Sequence, residues 1–169
     1  MVVHPQHGVG VIEGVQERTI DGETTAYLVL KGLAPGLTVL VPEDSPEAFG
    51  LRPSMTRSEA SEALRVLGSL PSPMPPYGTH YARDISQAVH SGVPSTVAAI
   101  LRDLVGKQDR KGLSYTERYL LRRATELLST EVAVALRISS ERAAARMAEV
   151  LTNACVANGR PERAPATRP

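Results

Sequence analysis

The chain has 169 residues, of which 42% are hydrophobic and 22% are charged, a composition typical of a globular protein with a buried core. No apolar stretch approaches the ~20 residues of a membrane helix, and no basic leader precedes an apolar segment. We therefore expect a cytoplasmic protein without membrane contact. The single cysteine, Cys155, excludes an internal disulfide and a site built of several thiolates.

Charge is distributed unevenly along the chain. Residues 1–70 hold five basic and nine acidic residues, a net charge of −4, whereas residues 71–169 hold fourteen and nine, a net charge of +5. A basic half favours an anionic partner such as nucleic acid.

Residues 1–50 are predicted to form short β-strands. The run GVGVIEGVQERTI is followed by the hairpin signal Asp21-Gly22 and then by TTAYLVLKG, which is rich in β-branched and aromatic residues. A turn at Ala34-Pro35-Gly36 leads into LTVLVP. Three short strands joined by tight turns bury little as a flat sheet, so we expect a small curled barrel of the SH3 or Tudor type.

The periodicity becomes helical from Thr56 onwards. The sequences TRSE from Thr56 and SYTE from Ser114 have the form of a capping box, which marks the start of a helix. Gly92 and Pro94 bound two further helices, and a last helix is predicted to start at Ser139 or Ser140.

The predicted fold class is therefore β followed by α. A Tudor- or SH3-like barrel is expected over residues 1–50, and a compact all-helical domain over 51–158. Within the latter, PSPMPPYG at 71–78 is dense in proline and stops both helix and sheet, so it is predicted to be a linker or a stiff arm. The tail at 159–169 has little to bury and is expected to be disordered.

The sequence predicts neither an enzyme nor a cofactor site. His4 and His7 supply two metal ligands where a zinc site needs three or four. Gly8 and Gly10 precede a strand, whereas the glycines of a phosphate loop lie between a strand and a helix. No pair of titratable groups indicates general acid–base chemistry. We expect a non-enzymatic protein without a bound metal or cofactor.

The helical half contains a cluster of cations. Arg118 and Arg122 are four residues apart and share a helix face, and Arg123 lies beside them. Lys107 and Lys111 are expected in the preceding loop. Such a cluster favours contact with phosphate groups, although arginines on a helix are often only a solvated face.

Two tyrosines, Tyr77 and Tyr81, flank His80 at the end of the proline-rich segment. An aromatic ring held on a stiff arm suits insertion between DNA bases, and it equally suits anchoring the arm to the helices. The residues alone leave both interpretations open.

Over roughly residues 2–152 the chain resembles the CarD family of bacterial RNA polymerase-binding transcription regulators. The resemblance is carried by VVHPQHGVGVIEGVQERTIDGETTAYLVLK, LTVLVPED and LRDLVGKQDRKGLSYTERYLLRRATELL. It implies a Tudor-like N-terminal domain that binds the polymerase β subunit. It also implies a helical domain that contacts the minor groove and backbone of promoter DNA, with little sequence specificity, at the upstream edge of the melted region.

The family resemblance also assigns roles to particular residues. Arg18 matches an arginine that the family uses against polymerase, whereas Leu40 stands where many members have a second arginine. Tyr77 stands where the family has a tryptophan wedge, and His80 replaces an arginine. The residues expected to contact polymerase are Arg18, Leu37, Val39, Leu40 and Val41. Those expected to contact DNA are Tyr77, His80, Arg83, Lys107, Lys111, Arg118, Arg122 and Arg123.

Two functions follow as expectations. The first is a monomeric, nucleoid-associated regulator that binds polymerase and promoter DNA together and stabilises the open promoter complex. The alternative is an adaptor that binds polymerase or another protein without binding DNA.

Overall fold

The structure, a computed structural model, describes residues 1–33, 36–72 and 79–157. A β-sheet region precedes a helical region. The strands are β1 (Val2–His4), β2 (Gly8–Ile20), β3 (Glu23–Gly32), β4 (Thr38–Pro42) and β5 (Arg52–Pro53), with a short 3-10 helix at Pro46–Phe49. The helices are α1 (Arg57–Leu67), α2 (Thr79–Ser91), α3 (Pro94–Lys111), α4 (Tyr115–Leu136) and α5 (Ser140–Ala157). None of these helices is both long and apolar enough to span a membrane.

The longest pairing in the sheet is the β2–β3 hairpin, which the sequence predicted. Its turn, Asp21-Gly22, has φ angles of 53° and 86°. A two-residue hairpin turn of type I′ requires positive φ at both central residues, and Asp-Gly satisfies that requirement at little cost. The register of the hairpin shifts between Ile12 and Gly14, which marks a β-bulge in β2.

The sheet is antiparallel and open, with the strand order β4-β3-β2-β1-β5. The predicted β-then-α architecture is confirmed, but the described strands do not close into the expected barrel. Strands β1 and β5 were not predicted and add to the three predicted strands. They have only three and two residues, and β5 does not pair with β4 to close the sheet. Because β5 pairs with β1, the sheet extends past the predicted boundary at residue 50.

Each region has its own hydrophobic cluster. The sheet cluster is small and consists of Leu30, Val41 and Leu51, with Val2, Leu28 and Val39 packed against it. The helical cluster is much larger and joins all five helices through aliphatic side chains, among them Leu67, Val89, Leu104, Leu128 and Met147. The expected buried core is therefore present, and most of it lies among the helices.

The predicted starts of four helices agree with the structure. Both capping boxes are formed: Thr56 and Ser114 each accept a hydrogen bond from the amide three residues on, and Glu59 and Glu117 bond back to the cap. Pro94 lies in the first turn of α3, and α5 begins at Ser140. One expectation is wrong, because α3 continues to Lys111 where a loop was predicted.

Some predicted features lie outside the described residues. They are the turn at Ala34-Pro35, most of the proline-rich segment with Tyr77, and the tail beyond residue 157. The start of the proline-rich segment is described and is bound to α3. There Arg102 donates to the hydroxyls of Ser69 (2.6 Å) and Ser72 (2.9 Å), and the Ser72 amide donates to Asp103 (2.9 Å).

Candidate functional site

Strand β4, which holds three of the residues expected to contact polymerase, lies at one edge of the described sheet. Among the described strands it pairs with β3 alone. The Gly32 amide donates to the Leu37 carbonyl and the Glu43 amide donates to the Ala26 carbonyl, each at 3.0 Å. Because hydrogen-bonded pairs alternate along an antiparallel ladder, every second residue from Leu37 to Glu43 directs its main chain toward β3.

The residues between them present their main chain to the open edge. Thr38 and Leu40 each offer an N–H and a carbonyl there, whereas Pro42 offers only a carbonyl. An open row of this kind pairs readily with a strand from another chain. Sequence reasoning missed Thr38, although a period of two through Val39 and Val41, whose side chains face the sheet cluster, would have indicated it.

The side chains of β4 divide between the two faces of the sheet. Val41 is buried in the sheet cluster and Val39 packs against that cluster. Both the side chain and the main chain of Val41 therefore face inward, which leaves neither of them at the open edge where a polymerase contact was expected. Leu37 and Leu40 are half-buried.

Arg18 lies near the tip of the β2–β3 hairpin, opposite Thr25. Strand β3 separates it from β4, and the β3–β4 pairing ends at Tyr27 and Pro42. Strands lie about 4.8 Å apart, so the backbone of Arg18 is about 10 Å from the line of β4. Arg18 is exposed but does not lie directly beside the open edge.

Two of the predicted DNA-contacting arginines are exposed on α4. The Arg122 side chain is 72% exposed, and its nearest carboxylate, Glu126, is 3.9 Å away. Arg118 is also exposed and donates one N–H to the Leu113 carbonyl at 2.7 Å, which leaves other donors of its guanidinium. Arg83 is exposed on α2.

Two other predicted DNA contacts are used inside the protein. Lys107 is buried, and its ammonium forms an ion pair with the buried carboxylate of Glu117. Arg123 donates to the main-chain carbonyls of Pro5 (3.2 Å) and Gln6 (2.5 Å). Both cations therefore hold elements of the fold together, and neither is well placed to meet a phosphate. Tyr77 and the side chains of His80 and Lys111 lie outside what the structure describes.

The sheet region and the helical region are joined by a buried ion pair. Arg52 of β5 donates to both carboxylate oxygens of Glu131 of α4, at 2.9 Å and 2.6 Å, and also to the carbonyl of Gly92. Gly92 has φ +66°, and a Cβ there would lie 3.2 Å from Arg52 Nε. Arg52 and Glu131 are 79 residues apart, and no local sequence signal indicates their pairing.

Apolar contacts surround this ion pair. Val3 and Pro5 from the sheet region line a small gap together with Val97, Leu127 and Leu128 from the helices. The contact therefore combines burial of apolar surface with a two-pronged arginine–carboxylate pair, which fixes orientation as well as distance.

His4 and His7 lie at the edge of this contact with their ring centres 4.7 Å apart. His4 Nδ1 accepts a hydrogen bond from the Gln6 amide at 3.2 Å. Burial of His4, and next the nearby His7, hold the pKa of His4 below its ordinary value, which matches an unprotonated acceptor nitrogen. Within the described residues no three potential ligands cluster as a metal site.

The described structure combines a sheet region that has an open edge with a helical region that carries exposed arginines, and the contact around Arg52 and Glu131 joins the two. Comparison with known proteins assigns this architecture to a family. The model of the CarD C-terminal domain matches residues 62–148, and that of the CarD-like/TRCF RID domain matches residues 1–55.

The chain is also similar to YdeB of Bacillus subtilis (strain 168), which is named as a candidate transcription factor. The two are 25% identical over 134 residues, 79% of this chain and 87% of YdeB. The chain belongs to the CarD family. It is therefore a transcription-related protein of an RNA polymerase-interacting family.

Proposed function

We propose that the protein binds the RNA polymerase β subunit through the open edge of β4, binds promoter DNA through the helical region, and stabilises the open promoter complex. The observation that carries the proposal is the largely buried Arg52–Glu131 pair, which joins the sheet region to the helical region. A protein that touches polymerase and DNA together favours the state in which both contacts fit.

The polymerase contact is proposed as strand addition. The main-chain groups of Thr38 and Leu40 supply the hydrogen bonds, and the half-buried side chains of Leu37 and Leu40 supply apolar contact at the same edge. Arg18, farther along the hairpin, adds a charged contact to a partner surface that extends beyond β4. The match to the CarD-like/TRCF RID domain over residues 1–55 supports this assignment.

The DNA contact is proposed at Arg83, Arg118 and Arg122, with Lys111, Tyr77 and His80 as further candidates. Contacts between cations and phosphates do not depend on base sequence, so binding is expected to show little sequence specificity. Stabilisation of the open complex then depends on where polymerase holds the protein on the promoter.

Thr38→Pro tests the open edge of β4. It removes an N–H that faces away from β3 and leaves the Gly32–Leu37 hydrogen bond intact, and proline is tolerated in the first residue of a strand. We expect about tenfold weaker binding to purified β subunit with little change in melting temperature. Thr38→Val, which keeps the N–H and the branched side chain, should bind as the wild type does. Equal binding by both variants would exclude strand addition at this edge.

A comparison of Arg122→Ala with Arg123→Ala tests the phosphate contact. Loss of the exposed Arg122 should weaken binding to all duplex sequences similarly and reduce the slope of log K against log salt by about one. Loss of Arg123, which bonds Pro5 and Gln6, should lower the melting temperature and leave the slope unchanged. Anisotropy titrations of a labelled duplex at several salt concentrations measure the slope, and thermal unfolding measures the melting temperature. An unaltered slope in Arg122→Ala would show that Arg122 does not contact DNA phosphates.

The adaptor function is the second candidate. It is favoured by the internal roles of Lys107 and Arg123, which reduce the number of cations available to DNA. If the wild-type protein binds β subunit but shows no salt-dependent binding to DNA, the adaptor function is correct.

A further inference from the structure

Two tyrosines are exposed at the start of α4. Tyr115 is 82% exposed and Tyr119 is 51% exposed, and they lie four residues apart on one side of the helix. Arg122 follows at the next turn, with its guanidinium carbon 5.9 Å from the centre of the Tyr119 ring. Together with Arg118, these residues form what we call the tyrosine–arginine face.

Packing does not account for the exposed rings. The opposite side of the same turns buries Glu117, Leu120 and Ala124, and the Ser114 capping box sets where the helix begins. Because these groups fix the rotation of α4, Tyr115 and Tyr119 point to solvent. Large aromatic rings that are exposed side by side are more typical of a binding surface than of a solvated helix.

The charge of this face is positive. Arg118 and Arg122 lie on it, and the exposed Glu126, one turn farther along, offsets only part of their charge at 3.9 Å from Arg122. The acidic residue of the first two turns, Glu117, is 2% exposed and forms an ion pair with Lys107. An aromatic and cationic face of this kind matches an anionic ligand with flat rings. Single-stranded nucleic acid has both properties, because its bases are free to stack and its phosphates carry charge.

We propose that the tyrosine–arginine face binds single-stranded DNA. Bases stack on Tyr115 and Tyr119 while Arg118 and Arg122 contact the adjoining phosphates. The Cα atoms of Tyr115 and Tyr119 are about 6 Å apart along the helix axis, so two neighbouring bases of one strand can reach the two side chains. In a duplex both faces of each base are already stacked on neighbouring pairs, so bases are free to stack on the exposed rings only when the strand is unpaired. This inference rests on the proposed DNA binding and specifies the unpaired strand as one of its targets.

The test measures binding of a labelled thymidine oligonucleotide by anisotropy, beside a blunt-ended duplex. Tyr115→Ala and Tyr119→Ala should each weaken binding to the oligonucleotide by about tenfold, the loss typical of one stacked base, and leave duplex binding unchanged. Tyr115→Phe and Tyr119→Phe keep the ring and should bind within about twofold of wild type. Since both positions are exposed, all four variants should melt like the wild type.

A second readout uses the chain's own fluorescence. The protein has five tyrosines and no tryptophan, so its emission comes from tyrosine. Stacking of bases on two exposed rings should quench part of that emission when the oligonucleotide is added. The quenching should be reduced in each alanine variant.

The outcomes separate this inference from the proposed function. If Arg122→Ala weakens duplex binding while the tyrosine variants bind the oligonucleotide as the wild type does, DNA binding stands and the stacking inference is overturned. It is also overturned if the alanine variants instead lose binding to the β subunit, since the face then docks protein. If the wild-type protein binds neither DNA, the proposed DNA contact itself fails.

Discussion

Glu131→Ala is expected to lower the free energy of unfolding by about 3–5 kcal/mol, the usual cost of removing one partner from a buried ion pair. Both oxygens of Glu131 accept hydrogen bonds from Arg52. Without them, the partly buried guanidinium retains the carbonyls of Gly92 and Pro53 but has lost its ion-pair partner. Chemical denaturation of the purified protein measures the change.

Glu126→Ala is the matched control on the same helix. The Glu126 carboxylate is 58% exposed and lies 3.9 Å from its arginine partners, so its removal should change stability by less than about 1 kcal/mol. If the two variants unfold at the same denaturant concentration, the Arg52–Glu131 pair does not stabilise the contact between the regions.

Glu131→Ala also distinguishes binding to each partner from the joint action of the two contacts on the open complex. In Glu131→Ala the open edge of β4 and the exposed arginines of α4 are unchanged, so we expect its affinity for isolated β subunit and for duplex DNA to stay near the wild-type value. The lifetime of an open promoter complex with polymerase should shorten, because the two contacts are no longer held in one orientation. An unchanged lifetime would show that the regions act independently.

Features encoded by neighbouring residues could be predicted from the sequence. The two capping boxes depend on residues three apart, and the hairpin turn depends on Asp21 and Gly22 alone. Their hydrogen bonds and φ angles involve only neighbouring residues, so the sequence signal for each is contained in a short segment. The starts of α1, α3, α4 and α5 were accordingly predicted within a residue or two.

Features that depend on distant residues could not be predicted. Strand β5 has two residues and owes its existence to pairing with β1 at the other end of the sheet region. Lys107 and Arg123 are residue types that usually lie exposed to solvent. Only the tertiary structure brings Glu117 to Lys107, and the carbonyls of Pro5 and Gln6 to Arg123. In β4, side chains alternate between the two faces of the sheet, so Val41 faces the sheet cluster and Leu40 faces away from it. Because residues 39–41 are all apolar, the sequence shows no hydrophobic–polar alternation from which this could be predicted.

Glu117→Ala is expected to cost more than the equivalent change in α1, although both glutamates occupy the same position of a capping box. Glu59 is exposed, and hydrogen bonds from Thr56, the main-chain amide foremost, hold the pKa of its carboxyl below the ordinary value. A lowered pKa in the folded state means that this contribution is present near neutral pH and is lost as the pH falls through the folded pKa. Because solvent screens this exposed carboxylate, Glu59→Ala should cost less than about 1 kcal/mol at pH 7.

Glu117 has a second role that Glu59 lacks. Its carboxylate accepts the Ser114 amide at 2.9 Å and also pairs with the buried Lys107 ammonium, so Glu117→Ala removes the cap and a buried counter-charge together. We expect a loss of about 3–5 kcal/mol, measured by denaturation at pH 7. Lys107→Met keeps the apolar stem of Lys107 and the Ser114 cap but removes the ammonium from beside the buried Glu117 carboxylate, so it should also cost several kcal/mol, while leaving the salt dependence of DNA binding unchanged. A reduced salt slope in Lys107→Met would contradict the internal role of this lysine and restore it to the DNA surface.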